Sequence, residues 1–216
     1  FFCIMLCYNL IKTFQKEKFK HYPVTFYKKN GELRLKGIGF LPFKYRKPLD
    51  LIFPIVHGKN VEDGSLAGFF KIFDIAYASS DILPAALFQN KQYTKKVLSF
   101  DGFPVLPYLF YTISDYKKDP DGVLDEIENL EYPVIIKPAS LGSSIGIKVA
   151  ENRDELLRAI NYALKYEDHF IVERKLVQFR EFNQAILERD GDYELSAVEE
   201  VKSDNSFLTF SDKYLP

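Results

Sequence analysis

Between Tyr132 and Gly146 an apolar strand-like run ends in a lysine, crosses a short loop of small residues, and starts a second strand. The run Tyr132-Pro133-Val134-Ile135-Ile136-Lys137 has strand length and β-branched content. Pro138-Ala139-Ser140-Leu141-Gly142-Ser143-Ser144 then supplies a loop too poor in helix formers to continue either element. Residues 145–149 read as the returning strand. The pattern demands a sheet, and the flanking segments demand helices packed on it. Residues 152–164 begin with Asn152, carry Glu155 three positions later, and place Leu156, Leu157, Ile160, Ala163 and Leu164 on one stripe. Helical and strand-like runs alternate along the whole chain, as in an α/β or α+β protein.

The remaining elements follow the same logic. Residues 3–18 read as a helix and 22–28 as a strand, with Asn30-Gly31 as a turn. Leu51-Ile52-Phe53-Pro54-Ile55-Val56 has the length of a buried strand, and Ser65 is placed to cap a helix through about Phe73. A helical stretch covers roughly 81–100 and stops near Gly102. A polar stretch from Asp115 to Gly122 leads into a short helix ending near Asn129. Phe170-Ile171-Val172-Glu173 is a strand, and residues 182–188 and 193–201 alternate as strands around Asp190-Gly191. Seams are expected near residues 80 and 171, giving segments 1–79, 80–170 and 171–216.

Composition narrows the partners. With 47% hydrophobic residues the chain can bury a core, and 29 basic against 30 acidic residues leave a net charge of −1. No bulk field favours nucleic acid or an anionic membrane. The longest apolar run, Phe1 to Ile11, is too short to span a bilayer and lacks the flanks of a signal peptide. Cys3 and Cys7 lie four apart on that helix with no histidine at ligand spacing, which fits buried thiols in a reducing cytoplasm and assigns no metal ligand.

Three constellations could carry chemistry. The Lys137–Gly146 loop clusters backbone N–H groups with the hydroxyls of Ser143 and Ser144, and could close over phosphate oxygens. It lacks the Gly-Lys-Ser/Thr ending of a P-loop, and an ordinary Ser/Gly hairpin turn remains an equal reading. Glu173, at the end of an apolar strand before Arg174-Lys175-Leu176, could read an adenine amino group, and Glu181 could accept ribose hydroxyls. The alternative has both carboxylates solvated or paired with Arg174 and Arg180. Lys91 could supply charge to phosphates, or be one surface lysine among many. His57 follows a buried strand, where open α/β sheets place ligands, or it is a structural histidine.

Taken in order, these segments resemble the D-alanine–D-alanine ligase family of the ATP-grasp superfamily. His57-Gly58 with Glu62-Asp63-Gly64-Ser65 is similar to the family's H-G-x-x-G-E-D-G-T/S. Asn90-Lys91 with Thr94-Lys95 is similar to D-K-x-x-T/S-K, and Val134 to Gly146 to V-x-V-K-P-x-x-x-G-S-S-x-G. Val172-Glu173 with Arg180-Glu181 matches V-E followed by R/P-E, and Phe207 to Leu215 resembles the loop ending A/D-K-Y. The chain departs from these patterns at Asn90 for Asp, Val61 for Gly, Leu208 for Tyr and Thr209 for Asp.

The resemblance implies an N-terminal Rossmann-like pre-ATP-grasp domain (1–79), a central ATP-grasp subdomain (80–170) and the start of a C-terminal one (171–216). It implies ATP-dependent joining of two D-alanines through an acyl phosphate, for peptidoglycan precursor synthesis in the cytoplasm. A D-alanine–D-lactate or D-alanine–D-serine ligase, or a degenerate nucleotide-binding module, is the alternative. Lys91 and Lys137 would contact ATP phosphates, Lys137 also reaching the adenine, with Ser143 and Ser144 in the covering loop. Glu173 would lie by the adenine, Arg174 to Leu176 would give backbone contacts, and Glu181 would hold the ribose. His57 would lie beside the substrates. Lys213 would approach the γ-phosphate, and Tyr214 would bond Ser143 to close the mobile loop. A homodimer through the N-terminal domain is also implied, with Phe1–Ile11 as a candidate contact or, equally, a segment buried within its own chain.

Neither Phe1 nor Pro216 reads as a natural terminus. The family's glutamate for the first D-alanine is expected before Phe1. Its arginine and its Mg²⁺ or Mn²⁺ ligands are expected after Pro216. The further expectation is that the parent is a ligase and this exact polypeptide is inactive alone.

Overall fold

The computed structural model describes the backbone at 25–29 and 32–36, and residues 51–55 and 58–201 in full. The expected helix 3–18 with Cys3 and Cys7, the Asn30-Gly31 turn, His57, Lys213 and Tyr214 lie outside the described residues. The chain divides into two compact units, Phe1–Gln89 and Asn90–Pro216.

In the first unit, β1 (Thr25–Lys29) pairs antiparallel with β2 (Glu32–Lys36). The run at 51–55 makes a single parallel bridge, Ile52 to Tyr77, instead of the expected buried strand. Leu51 and Phe53 are exposed, and Pro54 has no N–H with which to extend a ladder. Ser65 does not cap the next helix but opens it. In α1 (Ser65–Ile72) the cap is Gly64, while Asp63 accepts from the N–H groups of Ser65 (3.0 Å) and Asn60 (2.8 Å). The expected helix over 81–100 is two helices, α2 (Ile82–Gln89) and α3 (Lys91–Phe100), parted at Asn90. An Asn side chain competes for backbone N–H groups, so it ends one helix and caps another better than it continues either. The two units part between Gln89 and Asn90, whereas the sequence placed a seam near residue 80.

The second unit is built on a four-stranded antiparallel sheet. Its strands are β3 (Tyr108–Thr112), β4 (Val134–Pro138), β5 (Lys148–Ala150) and β6 (His169–Arg174), in the order β3-β6-β4-β5. Residue 171, near which a seam is expected, lies within β6, which pairs with β3 on one side and β4 on the other. Between the strands lie α4 (Ile113–Lys118), α5 (Pro120–Glu128) and α6 (Arg153–Ala163). Asn152 caps α6 by accepting from Glu155 N–H at 3.0 Å, and Glu155 reaches back to Glu151 N–H at 3.0 Å.

Strand alternation assigns the two faces. Val134, Ile136, Ala150, Phe170 and Val172 join Val123, Leu124 and Ile127 of α5 and Leu156, Ala159, Ile160 and Ala163 of α6 in one core. Leu157, on the edge of the expected stripe, is 41% exposed. Residues of opposite parity, among them Lys137 and Glu173, occupy the other face.

Beyond β6, β7 (Glu181–Asn183) pairs with β10 (Glu199–Val201), and β8 (Ile186–Arg189) with β9 (Asp192–Leu195). Asp190 and Gly191 both have positive φ, 54° and 87°, as a two-residue hairpin turn requires. Among the described residues no helix is long and apolar enough to cross a membrane.

Candidate nucleotide-binding site

Glu173 is the one buried charged residue among those described, at 3% exposure. It sits next to last in β6, opposite Tyr108 of β3 and Ile135 of β4. Lys137 is two residues beyond Ile135 on the same face, a diagonal neighbour of Glu173 within reach of a long side chain. Its Nζ pairs with Glu173 Oε2. Lys95 of α3 pairs with the other carboxylate oxygen, Oε1. Burial works to raise the Glu173 pKa, but Lys137 and Lys95 outweigh it and hold the carboxyl below its ordinary value. The sequence alternatives for this carboxylate are thereby corrected. Arg174 pairs with Glu131 (3.1 Å) and Arg180 with Glu200 (2.8 Å), so neither neutralises Glu173 or Glu181.

The loop after Lys137 is held from two directions. Asn90 caps α3, accepting from the N–H groups of Gln92 (3.0 Å) and Tyr93 (3.2 Å), and its amide donates to Ser140 Oγ (3.1 Å). Lys91 N–H donates to Ala139 O at 2.8 Å, and its Nζ donates to the carbonyls of Pro138 (2.9 Å) and Leu141 (2.5 Å). From the other side Glu167 accepts the Ser140 N–H at 2.8 Å. Burial, and secondarily the nearby Lys137, push Lys91 down to about 8, against the opposing pull of Glu167 and Glu173.

Ser143 and Ser144 both take positive φ, 53° and 58°, and Gly146 follows at 76°. A Cβ at Gly146 would stand 2.5 Å from Pro138 Cγ, so the loop closes tightly on its own first residues. Ser143 and Ser144 form a turn that the Ile145 N–H closes on Gly142 O at 3.1 Å, and turn backbones of this kind can present N–H groups to an anion.

The structure thus brings Lys91, Lys137 and Glu173 together and sets the Ser143-Ser144 loop beside them. Glu181 is exposed at the start of β7, in the separate two-stranded ladder, and Leu176 is 46% exposed after β6. Lys175 N–H is engaged by Pro133 O at 2.8 Å. Lys95 lies four residues from Lys91 in α3, a spacing that puts both on one helix face and that could have marked it in the sequence.

The family model described as D-ala D-ala ligase C-terminus matches residues 97–216. The chain belongs to the D-alanine–D-alanine ligase family. A D-alanine–D-alanine ligase of Borrelia turicatae is 37% identical over 181 residues, which is 83% of this chain and 49% of that protein. Among solved structures, the D-alanine–D-alanine ligase of Helicobacter pylori is similar with a TM-score of 0.65 and 25% identity, covering 90% of this chain and 58% of its own. The VanG D-Ala:D-Ser ligase of Enterococcus faecalis is similar with a TM-score of 0.65 and 34% identity, covering 76% and 47%. The chain spans about half the length of the curated ligases it matches. The ATP-grasp fold class expected from the motifs is that of these ligases, and the antiparallel sheet of the second unit is its α+β part.

Proposed function

We propose that this chain forms the nucleotide-binding part of an ATP-dependent ligase that joins two D-alanines for peptidoglycan precursor synthesis. The observation that carries the reading is the Glu173 carboxylate, buried between Lys137 and Lys95 beside a loop braced by Lys91. Three lysines and two carboxylates, Glu173 and Glu167, leave the cluster with a net positive charge that an anionic ligand can neutralise.

In this reading Glu173 accepts the adenine amino group, and the backbone of Arg174 to Leu176 borders the base. Glu181 holds the ribose. Lys91 and Lys137 neutralise phosphate oxygens while the N–H groups and hydroxyls around Ser143 and Ser144 cover them. One D-alanine carboxylate oxygen attacks the γ-phosphorus, forming a P–O bond as ADP leaves. The second D-alanine's amine then attacks the acyl carbon and phosphate departs. The family resemblance assigns His57 to the substrates, and Lys213 with Tyr214 to a loop that would keep water from the acyl phosphate. Mg²⁺ or Mn²⁺, when bound, neutralises phosphoryl charge. Among the described residues no group of three His, Cys, Asp or Glu could hold such an ion. In this reading the ligase acts in the cytoplasm.

The likeness to VanG supports a second reading in which D-serine is the second substrate. The test is phosphate release from ATP, Mg²⁺ and D-alanine by the open reading frame that contains this sequence. D-serine and D-lactate are offered as competitors. D-alanine-dependent release with dipeptide product is expected, and a mixed product would establish the second reading. ATP binding without release would overturn both in favour of a nucleotide-binding module.

A further inference from the structure

The two lysines on Glu173 are not held alike. Lys137 has one ion-pair partner among the described residues, Glu173 itself. Lys95 is fixed by three groups: Glu173 Oε1, the Leu106 carbonyl at 3.4 Å, and the Tyr108 ring, whose centroid lies 5.4 Å from Nζ. Tyr108 is also the β3 residue directly opposite Glu173 in the sheet. Helix α3, strand β3 and strand β6 therefore converge on the Lys95 ammonium.

Each carboxylate oxygen of Glu173 has two lone pairs, and the lysines occupy one on each oxygen. A base amino group must find an acceptor on this carboxylate, and phosphates arriving nearby offer Lys137 an alternative anion. Lys137 can change partners by giving up one ion pair. Lys95 would have to leave all three of its contacts.

We propose that Lys95 is a positioning residue that anchors the Glu173 carboxylate for the adenine amino group, while Lys137 leaves that carboxylate for the nucleotide's phosphates. The inference rests on the ATP reading above and deepens it. Lys95 touches neither base nor phosphate and acts through Glu173. With Lys95 in place, Glu173 stays anionic after Lys137 departs. A carboxylate without either lysine in a buried setting would be driven toward its protonated form, which presents a donor where adenine also presents one. Guanine carries a carbonyl at the corresponding ring position, so an anionic Glu173 also selects against it.

The test is equilibrium binding of ATP and GTP to the unaltered protein, Lys95→Met, Lys95→Arg, Glu173→Gln and the Lys95→Met/Glu173→Gln double variant. Folding is checked by circular dichroism. Lys95→Met should weaken ATP binding roughly ten- to hundredfold, the range for a hydrogen bond to a charged group. It should narrow the preference for ATP over GTP, and move the acid limit of ATP binding to higher pH. Lys95→Arg should restore most of the affinity. In the Glu173→Gln background, Lys95→Met should add almost nothing, because its effect passes through that carboxylate. Additive losses with an unchanged ATP/GTP ratio would make Lys95 a purely structural residue and overturn the proposal. So would wild-type affinity in Lys95→Met. If Lys95→Met does not fold, Lys95→Gln takes its place with the same expected directions. Absence of ATP binding by the unaltered protein would overturn the nucleotide reading itself, and is thereby distinct from failure at Lys95.

Discussion

Replacing Lys91 by methionine should change how stability depends on pH. The Lys91 ammonium is desolvated beneath the 139–146 loop and crowded by Lys137, which lowers its pKa from an ordinary 10.5 to about 8. Between those values the unfolded chain holds a proton that the native chain has released. The native state is therefore penalised below pH 8, and the penalty fades as pH rises toward 10.5. The difference of about 2.5 pH units corresponds to roughly 3 kcal/mol, at most about 1.4 kcal/mol per pH unit. Methionine removes the titration along with the hydrogen bonds to the Pro138 and Leu141 carbonyls. Those bonds offset the penalty by roughly 1.5–3 kcal/mol each, as charge-assisted hydrogen bonds do, so at pH 7.5 the two proteins need not differ much. The diagnostic is the trend. In urea denaturation at pH 7.5, 8.5 and 9.5, the unaltered protein should gain about 2 kcal/mol on Lys91→Met across the series. A difference constant to within about 0.5 kcal/mol would show that Lys91 is not desolvated and would refute the reasoning. Phosphates placed against Lys91 should return its proton. Calorimetry in buffers of different ionisation enthalpy at pH 8.5 should then show proton uptake on ATP binding, lost in the methionine variant.

Two further substitutions probe the same site. Asn90→Ala removes the cap of α3 and the bond to Ser140, and should lower stability by about 1 kcal/mol in urea denaturation. Asn90→Asp keeps the cap and should stay near wild-type stability, so equal losses would exclude capping as the cause. Gly146→Ala forces a Cβ to within 2.5 Å of Pro138 Cγ at a φ of 76° and should cost about 1–2 kcal/mol from the backbone conformation alone. A calorimetric Tm equal to wild type would mean the loop is not closed as described.

Local chemistry was readable in the sequence wherever a few neighbouring residues decide the conformation. The Asp190-Gly191 hairpin, the Asn152 cap with Glu155, and the strands at 134–137 and 170–173 all have causes within a few residues. The failures were local ties broken by partners. Residues 81–100 carry apolar content compatible with one helix, and Asn90 breaks it because its side chain caps α3 and bonds Ser140, fifty residues away.

The ordered motifs alone determined the family and named Lys91, Lys137, the Ser143-Ser144 loop and Glu173. Residue types at those spacings reflect chemistry that one strand, loop or helix presents by itself. What each carboxylate is paired with was decided only by the tertiary structure. Glu173 was weighed against Arg174, its neighbour in sequence, yet alternation sends Arg174 to the opposite side of the strand. Antiparallel register brings Lys137 diagonally across to Glu173, and helix α3 delivers Lys95. Ion pairing depends on distances of a few ångströms, which the folded sheet sets between residues far apart in the chain.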